Sequence, residues 1–136
     1  MPRKPKAIVL DSWAVLAYLE DEPSGEKIGD ILADAHEEGT PLLMSVINVG
    51  EVWYIVAREV SQPDAERCLR EIKELGIEII DADWGITQIA ASFKSRCKMS
   101  YADCFAAALA KDRKAHVVTG DPEFKQVEQE VQVLWV

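Results

Sequence analysis

Short apolar runs of strand length recur along the chain, at Ala7–Leu10, Pro41–Met44, Ile77–Ile80, His116–Thr119 and Val131–Trp135. Runs of four or five such residues bounded by turn-forming sequence read as buried strands. Between them the apolar spacing is helical. Ser12–Glu20 predicts a short helix, and Ser24–Glu38 a longer one with a serine cap and Gly39 as its stop. Val46–Val60 is apolar enough for Trp53, Tyr54 and Ile55 to read as core, with a dimer surface as the alternative. Ser61 and Pro63 start Asp64–Leu75, which stops at Gly76; Asp83–Cys97, Ser100–Arg113 and a short Pro122–Glu130 segment follow. Strands alternating with helices predict an α/β fold, a parallel sheet covered on both faces. No repeat, low-complexity tract or interior linker interrupts it, so residues 7–136 read as one domain behind a short basic tail, residues 1–6.

Four acids stand out against this pattern. Asp11 ends the first apolar run, Asp121 follows the fourth, Asp103 opens a helix, and Glu51 interrupts an apolar one. In such sheets function collects beyond the carboxyl ends of the strands, where Asp11 and Asp121 fall. Capping accounts for each aspartate taken singly: Asp11 and Asp121 can cap helices, the latter with Pro122 at the first helical position, and Ser100 with Asp103 fits the S-x-x-D pattern. Glu51 has no such account, because Ile47, Tyr54 and Ile55 lie one helical turn away; its bland alternative is an edge position reaching water. A desolvated carboxylate needs a partner to stay charged, and four without matching bases point to a divalent cation. Hard oxygen donors suit magnesium or manganese beside a substrate phosphate, and hence in-line hydrolysis of a phosphodiester. The chain has no Gly-rich phosphate loop, Walker lysine motif or G-x-G-x-x-G.

Composition narrows the setting. At 136 residues, 49% hydrophobic and 29% charged, the chain fits one globular domain that removes about two thirds of its unfolded surface from water. No apolar run approaches the roughly 20 residues of a membrane span, and the basic start leads into only four apolar residues, too few for a signal-peptide core. A cytoplasmic protein without membrane contact is the expectation. Cys68, Cys97 and Cys104 are odd in number and lack C-x-x-C spacing, so they read as small buried hydrophobes, and His36 and His116 as structural. A net charge of −9 argues against general nucleic-acid binding, an objection that weakens to −5 once the four acids are set aside as neutralised by cations. Local bases remain at Lys94, Arg96 and Lys98 and at Lys111, Arg113 and Lys114, although a helix C-terminus favours such charges for its own sake.

The motifs together resemble the PIN-domain ribonucleases, most closely the VapC toxins of prokaryotic toxin-antitoxin pairs. The similar segments are Val9-Leu10-Asp11-Ser12, Ser45 through Asn48 to Glu51-Val52, Ser100 to Ala110, and Val118 to Phe124, which together span almost the whole chain. The resemblance implies a five-stranded parallel sheet sandwiched between helices and a Mg2+- or Mn2+-dependent endoribonuclease. It implies that Asp11, Glu51, Asp103 and Asp121 form the catalytic metal site, with Ser12 and Thr119 orienting a carboxylate or a metal-bound water and Asn48 steadying Glu51. It further implies an RNA substrate, a homodimer, and a VapB-type antitoxin whose tail blocks the acidic groove. The thin basic surface favours a particular structured RNA.

Two other classes compete. A binding module would keep the fold and act through protein contacts without nuclease activity. A phosphoacceptor domain would need an acidic pair near one strand end and a lysine at the end of the last strand, where the sequence is Val133-Leu134-Trp135-Val136.

Overall fold

Ile8-Val9-Leu10 forms β1 (Ile8–Leu10), a strand with no polar side chain, and it lies at the centre of the sheet in the computed structural model, which describes residues 4–136. Residues 1–3 of the basic tail lie outside the described residues. The chain continues through α1 (Ser12–Leu19), α2 (Gly25–Glu38), β2 (Leu42–Ser45), α3 (Val46–Glu59), α4 (Gln62–Glu74) and β3 (Ile77–Ile80). It then forms α5 (Trp84–Arg96), α6 (Tyr101–Arg113), β4 (His116–Thr119), a 3₁₀ helix (Pro122–Val127) and β5 (Gln132–Trp135). All strand pairs are parallel, in the order β3-β2-β1-β4-β5.

Successive strand residues point to opposite faces, and both faces are covered, which is why the strands read as continuous apolar runs. Ile8, Leu10, Leu42, Met44 and Val118 pack with residues of α1 to α4. Val9, Leu43 and Val117 pack on the other side with α5 and α6. α6 is buried without a break from Asp103 to Ala110, and its alanines let it lie close against its neighbours.

Several sequence expectations need correction. Ser24 makes no side-chain cap on α2: its backbone is already helical, and the Gly25 N–H is taken by the Glu22 carbonyl. Pro122–Glu130 is a 3₁₀ helix only as far as Val127, and other element ends move by a residue or two. In α3 the buried side is Asn48, Val49, Val52 and Val56, so Tyr54 is exposed and Trp53 and Ile55 only half-buried; the apolar stretch exceeds what one helix face can bury. Cys68 and Cys104 are buried, but Cys97 is only partly so.

Two tertiary ties fix the far end of the sheet. Glu130 binds Arg96 through both carboxylate oxygens, at 2.6 and 3.0 Å, and Lys111 at 2.9 Å, while both cations lie near the Phe93 ring. His36 Nε2 lies 2.8 Å from the Leu75 carbonyl at the end of α4. The next residue, Gly76, has φ of 79°, and a Cβ there would lie 2.9 Å from His36 Cε1. Gly39 also has positive φ, 71°, but open space around it. Gly76→Ala is therefore expected to cost more than the ~1 kcal/mol of backbone strain that Gly39→Ala incurs, measured as a larger drop in urea midpoint; equal drops would show that His36 gives way freely.

Candidate functional site

Six polar residues are buried among the described residues, Asp11, Ser12, Ser45, Asn48, Asp103 and Thr119, and all lie where β1, β2 and β4 end or where α3 and α6 begin. Burial of polar groups costs free energy unless each finds a hydrogen bond, so their gathering at the carboxyl edge marks it as special.

Each acid is set by its local backbone. Asp11 is the N-cap of α1: the Ala14 N–H donates to Oδ1 at 2.8 Å, and the Thr119 hydroxyl donates to Oδ2 at 2.5 Å. Thr119 Oγ1 also accepts the Asp121 N–H at 3.0 Å, so one hydroxyl ties Asp11 to the Asp121 backbone. Asp121 caps the 3₁₀ helix through the Glu123 N–H, 2.9 Å from Oδ1. Asp103 lies in the first turn of α6, its N–H donating to Ser100 Oγ at 3.1 Å. Caps thus put all three aspartates at helix N-termini, whose dipoles favour negative charge.

Asp103, Asp121 and Glu123 each offer an oxygen within 4.8 Å of those of the other two. Glu123 escaped the sequence reading, although it stands in the segment Val118 to Phe124; its signal was the i,i+2 spacing from Asp121 on a turn. Glu51, half-buried on α3, lies outside this tight group, but its charge raises the pKa of Asp11. None of the five acids is in an ion pair among the described residues. At an effective dielectric of about 20, two carboxylates at such spacing repel by roughly 3 to 4 kcal/mol.

That repulsion, with burial, shifts protonation. Burial pushes the fully buried Asp11 carboxyl up to about 7, opposed by the Thr119 and Ala14 hydrogen bonds and aided by the charges of Asp121 and Glu51. Asp103 also moves upward, mainly from burial, then from its hydrogen bond with Glu123 and the charges of Asp121 and Asp11. Converging oxygen donors with no basic partner have the chemistry a hard divalent ion requires, so the residues fit magnesium or manganese.

The other expected residues lie at the same edge but bond to one another and to backbone. Asn48 makes no hydrogen bond to Glu51; its Nδ2 donates to Ser12 Oγ at 3.2 Å and to the Ala102 carbonyl at 3.0 Å, tying α1 and α3 to the start of α6. Ser12 Oγ donates to the Asn48 carbonyl at 3.2 Å and makes no hydrogen bond to a carboxylate. A close approach supports Asp121 as well. A Cβ on Gly120 would lie 2.3 Å from the Trp13 ring, so the indole packs directly on the backbone between Thr119 and Asp121.

Compared with known proteins, residues 8–130 match the family model described as PIN domain. A search of curated protein sequences finds no significant match. Among solved structures, VapBC2 from Rickettsia felis bound to a promoter DNA fragment is similar with a TM-score of 0.73 and 20% identity, covering 96% of this chain and 98% of that one. VapC20 of Mycobacterium tuberculosis, a sarcin-ricin loop cleaving toxin, gives 0.70 and 16%, covering 89% and 95%. VapBC-1 of nontypeable Haemophilus influenzae gives 0.72 and 15%, covering 95% and 97%. At these identities the likeness is one of fold.

Without metal, the folded state holds a proton on Asp11 that the unfolded chain, with its ordinary value of 3.8, has released. Its contribution to stability is therefore full below pH 4 and is lost as pH rises through about 7. The loss is on the order of 4 kcal/mol. Urea unfolding in EDTA at pH 5 and pH 8 is expected to show somewhat over half of it, with Asp11→Asn flattening the dependence; an unchanged slope in that variant would remove Asp11 as its source.

Proposed function

This chain belongs to the PIN-domain family, and from that premise we propose that it is a divalent-metal-dependent endoribonuclease, the toxin of a VapBC-type pair. The observation that carries this reading is the convergence of Asp103, Asp121 and Glu123 oxygens within 4.8 Å of one another, with no basic residue paired to them among the described residues. Asp11, Glu51, Asp103 and Asp121 are the proposed catalytic acids, and Glu123 joins them.

When bound, a magnesium or manganese ion supplies Lewis-acid charge at the phosphate and lowers the pKa of a water molecule. The chain's own part is to bind and orient. Asp103, Asp121 and Glu123 would hold the ion, with Asp11 and Glu51 completing the acidic shell. Thr119 positions two acids at once, since its hydroxyl donates to Asp11 and accepts from the Asp121 backbone. Trp13 limits movement of the Gly120 backbone that carries Asp121. The uncharged forms of Asp11 and Asp103 must lose their protons before an ion enters, so metal binding releases protons and strengthens with pH.

Partner readings rest on the same edge. The solved relatives include VapBC complexes, which supports an antitoxin for this chain, and an unpaired acidic cleft suits a partner arginine. Val46 and Ile47 open α3, Trp84 opens α5 and Tyr101 opens α6, all exposed where these helices leave the carboxyl edge. Apolar side chains so displayed support a homodimer. No described helix is long and apolar enough to cross a membrane, and we place the activity in the cytoplasm as part of this reading.

Asp103→Asn is expected to reduce RNA cleavage on the order of 100-fold while leaving the circular-dichroism spectrum unchanged, and EDTA to abolish wild-type cleavage until Mg2+ or Mn2+ is restored. Equal cleavage by pure wild type and variant, or cleavage indifferent to EDTA, would sink the assignment. Trp84→Lys is expected to shift the chain toward monomer by light scattering; an unmoved mass would exclude that edge as the dimer contact.

A further inference from the structure

The amino end of the sheet, opposite the acids, carries a cavity of about 440 Å³ whose charge is reversed. Lys4 and Lys6 enter it from the segment before β1, Lys111 and Lys114 from the end of α6, and His116 from the first position of β4. Its one acid, Glu130, is already bound by Arg96 and Lys111. Lys6 and Lys114 are in no ion pair among the described residues, and Lys4 meets only Glu38, at 3.8 Å between two exposed side chains, a contact worth little.

The α6 dipole accounts for lysines at its C-terminus, but not for Lys4 and Lys6, which come from a different segment. Nor does it account for the backbone of Lys114, held at φ of 52° in the left-handed region where glycine or asparagine would cost less. His116 Nδ1 is buried beside the lysines with no hydrogen-bond partner. In a chain of net charge −9, a local group of lysines is where a polyanion meets an attractive rather than a repulsive field. Lysine is a compact, strongly hydrated point charge suited to phosphate. From His116 to Thr119, β4 rises only three residues, about 10 Å, so the basin and the acidic edge lie at the two ends of one short strand.

We propose that this basin binds the phosphate backbone of the RNA away from the acids, holding a substrate that the acidic edge by itself repels. The inference rests on the ribonuclease reading for the identity of the polyanion, and its test separates the two. A fluorescent 30-nucleotide RNA is titrated in EDTA, across a salt series, with wild type, with Lys6→Gln/Lys114→Asn, and with the control Lys27→Gln/Lys73→Gln, whose exposed lysines lie elsewhere. Asparagine tolerates the left-handed backbone at 114, so the variant keeps its fold. The basin variant is expected to bind about tenfold more weakly, and its log–log salt slope to fall by roughly 1.4, two phosphate contacts' worth; the control should match wild type. Equal affinity and slope in the basin variant, or no RNA binding by wild type, would overturn the proposal, as would lysine-dependent binding of polyglutamate without RNA binding, which would assign the basin to an acidic protein segment. Cleavage of the same RNA with Mg2+ is read in parallel. Lysine-dependent binding with no cleavage of this RNA or of total cellular RNA would refute the nuclease reading and leave the basin standing.

Discussion

Carboxylates brought together without a countercharge are the constraint around which this structure is built. Repulsion of a few kcal/mol between neighbouring acids is large beside the 5 to 15 kcal/mol that stabilises a typical domain. The fold contains it by three means. Helix N-termini receive the aspartates, protons are retained on the most buried of them, and the Thr119 hydroxyl locks two of the loops that carry them. An ion entering such a site removes the repulsion and the need for the protons together, so its binding is coupled to the stability of the whole carboxyl edge.

The rest of the architecture serves this edge. Parallel strands all end on the same side, and the helices that follow β1 and β2 begin there, as does α6. The Asn48 amide supplies the lateral tie, spanning from Ser12 to Ala102 and so holding the starts of three helices in register. Its Oδ1 remains buried without a partner, a cost of about 1 to 3 kcal/mol accepted where that tie is made.

Much of this was legible in the sequence because the signals were local. Four- and five-residue apolar runs gave the strands, and Asp11, Ser61, Ser100 and Asp121 marked helix starts that the hydrogen bonds bear out. What failed depended on three-dimensional proximity. Ser24 has the composition of a cap but lies in a turn already helical, and Tyr54 belongs to an apolar run wider than the buried face of α3. Glu123 was hidden because its i,i+2 spacing from Asp121 is common on exposed turns and gains meaning only when Asp103, twenty positions earlier, is folded against it. The basin at the opposite end was only half visible, since the α6 lysines read as an ordinary helix end and Lys4 and Lys6 as a tail.

The bond between Thr119 and Asp11 closes a span of 108 residues, and β1 pairs with β4, which follows it only after two strands and six helices. Pairings so distant in sequence are slow to form and cannot begin until both strands exist. On the ribosome, α1 to α4 can gather on one face of β1 and β2 while the acids remain scattered. The site comes into being only when residues 116–123 have emerged, long after Asp11. A chain arranged in this way carries its own delay: no nascent piece that lacks β4 can assemble the acids.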